Sequence, residues 1–535
     1  MKKIASLLAG VALGGCAVGP HYRPPAPAPA AAAPFRSTGT ALDPVAALPA
    51  RWWSLYADPA LDALVAEALA HNSDLRVAAA NLERARAVLR EERAALLPST
   101  QITAAAVRGR GGASSGTSGT NTGSSTANGG GTGTGTETGT SSGGGTTTGS
   151  TGSASGGATI SPPSTGGTTE TIYRAGATFS YEVDLFGRVR RSLQAARADV
   201  AATEATRDAT RVTVAAATTQ AYLDACTLGR QLDVANQSLA LVEQSYELTR
   251  RQVQLGAASQ YELSRVGVLV EQTRAAVPQL EGVRATALYD LTVLVGRPAN
   301  QVPEVASSCH AMPRLPRVLP VGDGAALLRR RPDVRSAERS LAADVARVGV
   351  ATAGLFPTIT LGGAINASGT GFKSATSRAG VAFGFGPLIS WFFPNILAAR
   401  ARVQEAGADA RASLARLDGA VLTALGEAEK ALAAYDAELR RNAALATAQA
   451  DSQRALQLSG VRVRYGSISQ LEQLDVQRDF IAAQAALAAS DATLAEDQVA
   501  VFRALGGGWQ DAPAIDPSPR GIDGAAGLAL KPPQR

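Results

Sequence analysis

The sequence predicts a mainly α-helical chain with a transmembrane β-barrel component, organised as two structural repeats. Three observations predict this fold. First, "QLGAASQYELS" (254–264) and "RYGSISQLEQL" (464–474) superpose at an offset of 210 residues without a gap. Gly256 meets Gly466, Ser259 meets Ser469, and Glu262 meets Glu472. Second, Phe186 to Leu255 and Asn395 to Arg464 contain no proline. A helix of about 70 residues is roughly 100 Å long, against the 8–20 residues of an ordinary globular helix. Third, short segments between these helices alternate apolar and small or polar residues with period two, a strand signal.

The chain begins with Lys2 and Lys3, an apolar run from Ile4 to Leu13, and small residues ending in Leu13-Gly14-Gly15-Cys16. Residues 1–15 read as a secretory signal peptide, too short to span a bilayer as a helix. The Leu-Gly-Gly-Cys ending resembles the bacterial lipobox, which implies lipidation of Cys16. Ala17 after it implies sorting to the outer membrane. Residues 16–57 are rich in Pro and Ala and read as an extended tether.

Residues 58–296 form the first repeat. Helix 58–98 is capped by Asp58, has Pro59 in its first turn and ends at Pro98. The strands follow at 99–108 and 173–183. In the latter Tyr173, Ala175, Ala177, Phe179, Tyr181 and Val183 take one face. Between them, residues 109–169 are almost wholly Gly, Ser and Thr, and Glu137 is the only charge between Arg110 and Glu170. Such a segment buries no core and reads as a disordered loop. The long helix, the turn at Gly256 and a returning helix complete the repeat. Residues 297–322 read as a linker. The second repeat, 323–506, has helix 331–357, strands 358–366 and 379–386, the second long helix, the turn at Gly466 and a return. Residues 507–535 read as a tail.

Four strands cannot lie in lipid alone, because their edges would leave backbone groups unpaired. Two copies would make 8 strands and three would make 12. A wide lumen favours 12 strands in a trimer, with the long helices extending the tube as a periplasmic helical barrel.

Several separated stretches resemble one family. "VGPHYRPP", "RWWSLYADPALDALVAEAL", "YEVDLFGRVRRS", "GDGAALLRRRPDVRSAERSLAA" and "GVATAGLFPTITLGG" occur in the order found in the outer-membrane efflux factors, the TolC-like export ducts, in their lipoprotein branch. The resemblance implies a homotrimer in outer-membrane lipid. It also implies a periplasmic adaptor and an inner-membrane efflux pump as partners, and an extracellular position for the Gly/Ser/Thr loop. It places the two matched turns at periplasmic tips, so that Gly256, Ser259, Gly466 and Ser469 belong to adaptor-docking tips. It aligns Asp475 with an acidic ring at the closed constriction, with Glu472 and Glu262 beside it. Read from the residues alone, these two glutamates are the third positions of Ser-x-x-Glu capping boxes. The family's aromatic and Arg gate partners are replaced by Val463 and Ile468, with Arg462, Arg464 and Tyr465 as substitutes nearby.

An oxidising periplasm makes a bond between Cys226 and Cys309 the expectation, with two separate buried thiols as the alternative. The three histidines have no ligand spacing, and the glycine runs lack a phosphate-loop ending, so no cofactor, metal or catalytic constellation is expected. The net charge of +6 is spread along helices and carries no nucleic-acid footprint. Two other readings share the lipid anchor: a periplasmic adaptor, and a structural coiled-coil lipoprotein. The first would carry one hairpin and several soluble β modules; the second would lack membrane strands.

Overall fold

The structure is a computed structural model. It describes residues 17–26, 29–37, 42–46, 48–110, 169–313, 315, 318–391, 393, 396–513 and 515. Cys16, the leader, insert residues 111–168 and the end of the tail lie outside the described residues.

The first repeat opens with two helices, α1 (Pro59–His71) and α2 (Ser73–Ala94), where the sequence predicts one over 58–98. Asp58 caps α1 and Pro59 stands in its first turn, as expected. The break comes at Asn72, whose side-chain oxygen accepts from the N–H groups of Asp74 and Leu75 and so caps a new helix. Strand β1 (Ser99–Arg110) follows, then β2 (Thr169–Val183), both longer than expected. Helix α3 (Arg188–Gln254) runs 67 residues and α4 (Gln260–Leu294) runs 35. The second half has α5 (Gly324–Arg330), α6 (Pro332–Ala353), β3 (Thr358–Gly369), β4 (Val381–Ser390), α7 (Ile396–Arg464) and α8 (Gln470–Ala504). Helix, strand, strand, long helix and helix thus occur in that order twice.

The described chain divides into two compact units. The strand unit comprises Pro98–Val183 and Ile359–Ile389, and the helical unit holds the rest.

In the strand unit the four strands lie in the order β1-β2-β3-β4. The pairs β1–β2 and β2–β3 are antiparallel. Their register sorts side chains by chemistry. Ile102 stands opposite Ala177, which stands opposite Ile365; Tyr181 stands opposite Leu361 and Val183 opposite Ile359. These residues share one face, because paired residues point the same way and successive ones alternate. Phe385 of β4 joins them, since a Cβ on Gly363 would lie 3.0 Å from its ring. The other face carries Gln101, Thr103, Arg174, Ser180 and Asn366. A Cβ on Gly176 there would meet Asn366 at 2.6 Å and Thr103 at 3.3 Å. Strands β1 and β4 are the edges of the sheet. Pro387, which has no N–H to donate to a strand ladder, lies in β4.

In the helical unit α3 packs against α4 and α6, and α7 packs against α8. Small residues such as Ala205, Ala215 and Ala343 are fully buried, which lets backbones approach closely. Helix α3 is started by the Asp184 carboxylate, which accepts from the N–H groups of Val189 at 3.1 Å and Arg190 at 2.9 Å. The core centres on Trp52, whose ring stacks on Phe502 of α8 at 4.7 Å. Tyr222 of α3 donates to the Asp58 cap at 2.7 Å.

The segment expected to be an extended tether packs on this unit over much of its described length. Phe35, Leu48 and Trp53 are buried in the core. The Glu429 carboxylate accepts from the N–H groups of Arg36 at 2.6 Å and Ser37 at 3.1 Å. Leu42–Asp43 pairs in parallel with Leu319–Pro320 of the expected linker. Proline-rich chain can dock in this way because the N–H groups it retains find a carboxylate and its apolar side chains find a core.

Candidate functional site: the helical tips

Helix α3 ends in a turn in which Gly256 has φ 73°. The N–H of Ala257 reaches Gln252 O at 2.8 Å and that of Gly256 reaches Val253 O at 3.0 Å. This is a Schellman ending, which needs a left-handed residue and favours glycine. Helix α7 ends the same way: Gly466 has φ 68°, Ser467 N reaches Arg462 O at 2.8 Å, and Gly466 N reaches Val463 O at 2.9 Å.

Each returning helix opens with a reciprocal capping box. Glu262 N donates to Ser259 Oγ at 3.2 Å, while Ser259 N donates to the Glu262 carboxylate at 2.7 Å. The corresponding distances at Ser469 and Glu472 are 3.1 and 3.3 Å. Hydrogen bonds from the Ser259 backbone N–H, and then from its hydroxyl, hold the Glu262 carboxyl below its ordinary range.

The hairpins are joined just behind the tips. Val242 of α3, Val266 and Leu269 of α4 and Leu474 of α8 form a buried cluster. Ser245 of α3 and Gln477 of α8 hydrogen-bond in the same layer at 2.8 Å. Asp475 lies next to this layer and is 60% exposed. Its Oδ1 is 3.9 Å from Arg265 Nη2 of α4 and 3.7 Å from Arg478 Nη1 of its own helix. Among the described residues, Arg462, Arg464 and Tyr465 form no ion pair or hydrogen bond with Asp475; Tyr465 is exposed. The partners missed by sequence reasoning carried a signal: Arg265 occupies the position equivalent to Asp475 at the 210-residue offset.

Away from the tips, Cys226 and Cys309 are joined by a disulfide with Cα atoms 4.8 Å apart. It holds the chain after α4 on α3. Arg284 reinforces the contact, donating to Ser307 O at 2.7 Å and Cys309 O at 3.0 Å. A Cβ on Gly229 would lie 2.4 Å from Cys309 O, so that helix position has no room for a side chain. His310 Nδ1 lies 3.0 Å from Asp233 on the same helix face. Among the described residues no group of three or more His, Cys, Asp or Glu could hold a metal ion. No described helix is long and apolar enough to cross a membrane.

Matched helical hairpins and a sheet with one apolar face define the class as that of the TolC-like outer-membrane channels. The solved structure of the outer-membrane channel OprN aligns with a TM-score of 0.77 at 31% identity, covering 92% of this chain and 100% of that one. The family model for outer membrane efflux protein matches residues 64–137, 140–297 and 325–507, and the chain belongs to that family. The probable efflux pump outer membrane protein TtgC of Pseudomonas putida is 29% identical over 508 residues, 93% of this chain and 94% of that protein. Nodulation protein T of Rhizobium leguminosarum bv. viciae is 31% identical over 343 residues, 64% of this chain and 71% of that protein. Family membership makes the chain a channel protein, not an enzyme.

Proposed function

We propose that the chain is one of three identical subunits of an outer-membrane efflux channel, lipidated at Cys16 and coupled through a periplasmic adaptor to an inner-membrane pump. The observation that carries this reading is the sheet. Its register separates an apolar face from a polar one, and β1 and β4 are both edges. On the apolar face Ile102 is 83% exposed and Phe385 72% exposed. A face of that kind fits lipid, and edges of that kind must be closed by other copies before the sheet can enter a bilayer. Three copies give 12 strands around a polar lumen. The adaptor and coiled-coil readings account for neither feature. OprN and TtgC are themselves described as an outer-membrane channel and an efflux pump outer membrane protein.

The proposal extends to the tips. Two tips per chain give six in a trimer, a ring on which adaptor hairpins can dock at Gly256, Ser259, Gly466 and Ser469. The proposal keeps the boundaries read from the sequence: leader 1–15, lipid-anchored segment 16–57, repeats 58–296 and 323–506, linker 297–322 and tail 507–535. Equivalent positions of neighbouring hairpins approach each other only close to the ring axis. Arg265 and Asp475 are such positions, so the closed end is lined by alternating arginine and aspartate.

The test is reconstitution. The purified full-length chain should run as a heat-sensitive trimer in mild detergent and conduct ions in a planar bilayer. A monomer without conductance would overturn the proposal.

A further inference from the structure

On the apolar face of the strand unit, Tyr173 stands opposite Ala106 and Arg108 stands opposite Thr171. Arg108 therefore follows Ile102, Ala104 and Ala106 on that face, one pleat beyond the last aromatic residue. From Val183 to Tyr173 the apolar face runs roughly 34 Å along β2. At a strand tilt near 40° this is about 26 Å of height, matching the apolar band of a membrane barrel at about 25 Å. Arg108 thus falls just past the hydrocarbon, at the level of lipid headgroups.

The same end of the sheet carries the connection between β3 and β4. Tyr173 stands opposite Gly369, so this connection begins at about the level of Arg108. It contains Lys373 and Arg378, both exposed, beside Phe372, which is 75% exposed. Two strand spacings, about 10 Å, separate it from β1. Among the described residues no carboxylate forms an ion pair with Arg108, Lys373 or Arg378. Glu182 lies at the opposite end of β2. This end is joined by strand-to-strand connections; the opposite end joins the helices.

We infer that this basic rim binds the phosphate groups of the outer-leaflet glycolipid, with Phe372 reaching into its acyl region. The inference rests on the reading of the sheet as part of a membrane barrel. Cations next to an apolar band favour an anionic amphiphile over a free anion, because binding satisfies charge and apolar surface together.

The test uses the full-length purified oligomer. Its thermal dissociation midpoint is measured with phosphorylated lipopolysaccharide, with the same lipid dephosphorylated, and with inorganic phosphate. The chain carrying Arg108→Gln, Lys373→Gln and Arg378→Gln is compared with wild type and with Arg174→Gln, a change on the polar face. Phosphorylated lipid should raise the midpoint of wild type and of Arg174→Gln by a few degrees, and the triple variant should lose more than half of that shift. Equal shifts in wild type and triple variant, or equal shifts from the dephosphorylated lipid or from inorganic phosphate, would overturn the inference. Oligomer formation by each chain before lipid is added tests the barrel reading separately.

Discussion

Arg265 Nη2 lies 3.9 Å from Asp475 Oδ1, and these two residues occupy equivalent positions in the two hairpins, 210 residues apart. With Arg478 3.7 Å from the same oxygen, Asp475 is not the bare carboxylate that a ring of like charges implies. The contacts are long and exposed, so each is worth at most about 1 kcal/mol. Their effect should therefore be read in the pore rather than in stability. Asp475→Ala should weaken block by a trivalent cation added from the periplasmic side. Arg265→Ala should strengthen it, because it removes a neighbouring positive charge. Single-channel recording checks both; identical block in all three proteins would remove Asp475 from the constriction.

Gly256 and Gly466 have positive φ, yet a Cβ at either would meet nothing within 4 Å. Alanine there introduces backbone strain without a clash, at about 1–2 kcal/mol per site. Asparagine should cost less, since it tolerates the left-handed region. Hydrogen exchange at the tips should show faster opening in Gly256→Ala and Gly466→Ala than in the asparagine variants.

The Cys226–Cys309 bond closes a loop of 83 residues. Chain entropy puts the stabilisation from such a crosslink at about 4.5 kcal/mol. Cys226→Ala with Cys309→Ala should lower the thermal midpoint by several degrees in non-reducing buffer. A reductant should then lower the midpoint of wild type and leave the double variant unmoved.

Burial on α3 pushes the Asp224 carboxyl up to about 6; the hydrogen bond from Gln220 opposes it, and the nearby Glu496 carboxylate adds a smaller upward push. Above pH 6 the group is charged both folded and unfolded, so its burial costs stability throughout that range. As pH falls from about 6 towards 4, the folded state takes up the proton first and the cost is relieved. Asp224→Asn should therefore be more stable than wild type at pH 7.5, by at most about 3 kcal/mol. The difference should close near pH 4. A difference independent of pH would show that titration of Asp224 is not its cause.

The turns were legible in the sequence because their chemistry is local: a glycine with positive φ and a Ser-x-x-Glu box lie within seven residues. The strands were legible through period-two alternation, which the pairing register respects. The break at Asn72 was not, because Asn72 also donates to Leu294 O, 222 residues away, and no local pattern records that demand. The docking of Arg36 and Ser37 on Glu429 is equally invisible in the local sequence, because the partner lies more than 390 residues away. The link from Arg265 to Asp475 was half visible. The offset pairs the two positions, but opposite charges at equivalent sites attract notice only once the hairpins are seen side by side.

The central claim is that the open edges β1 and β4 meet across copies and close a ring of three. Cysteines at Thr103 of β1 and Gly384 of β4, joined by a thiol-specific crosslinker about twice the strand spacing in length, test it directly. The crosslinked chain, isolated from outer membranes and fully denatured, should give monomer, dimer and trimer bands, with the trimer as the largest species. Crosslinking that stops at dimer, or that occurs within one chain alone, would contradict the account.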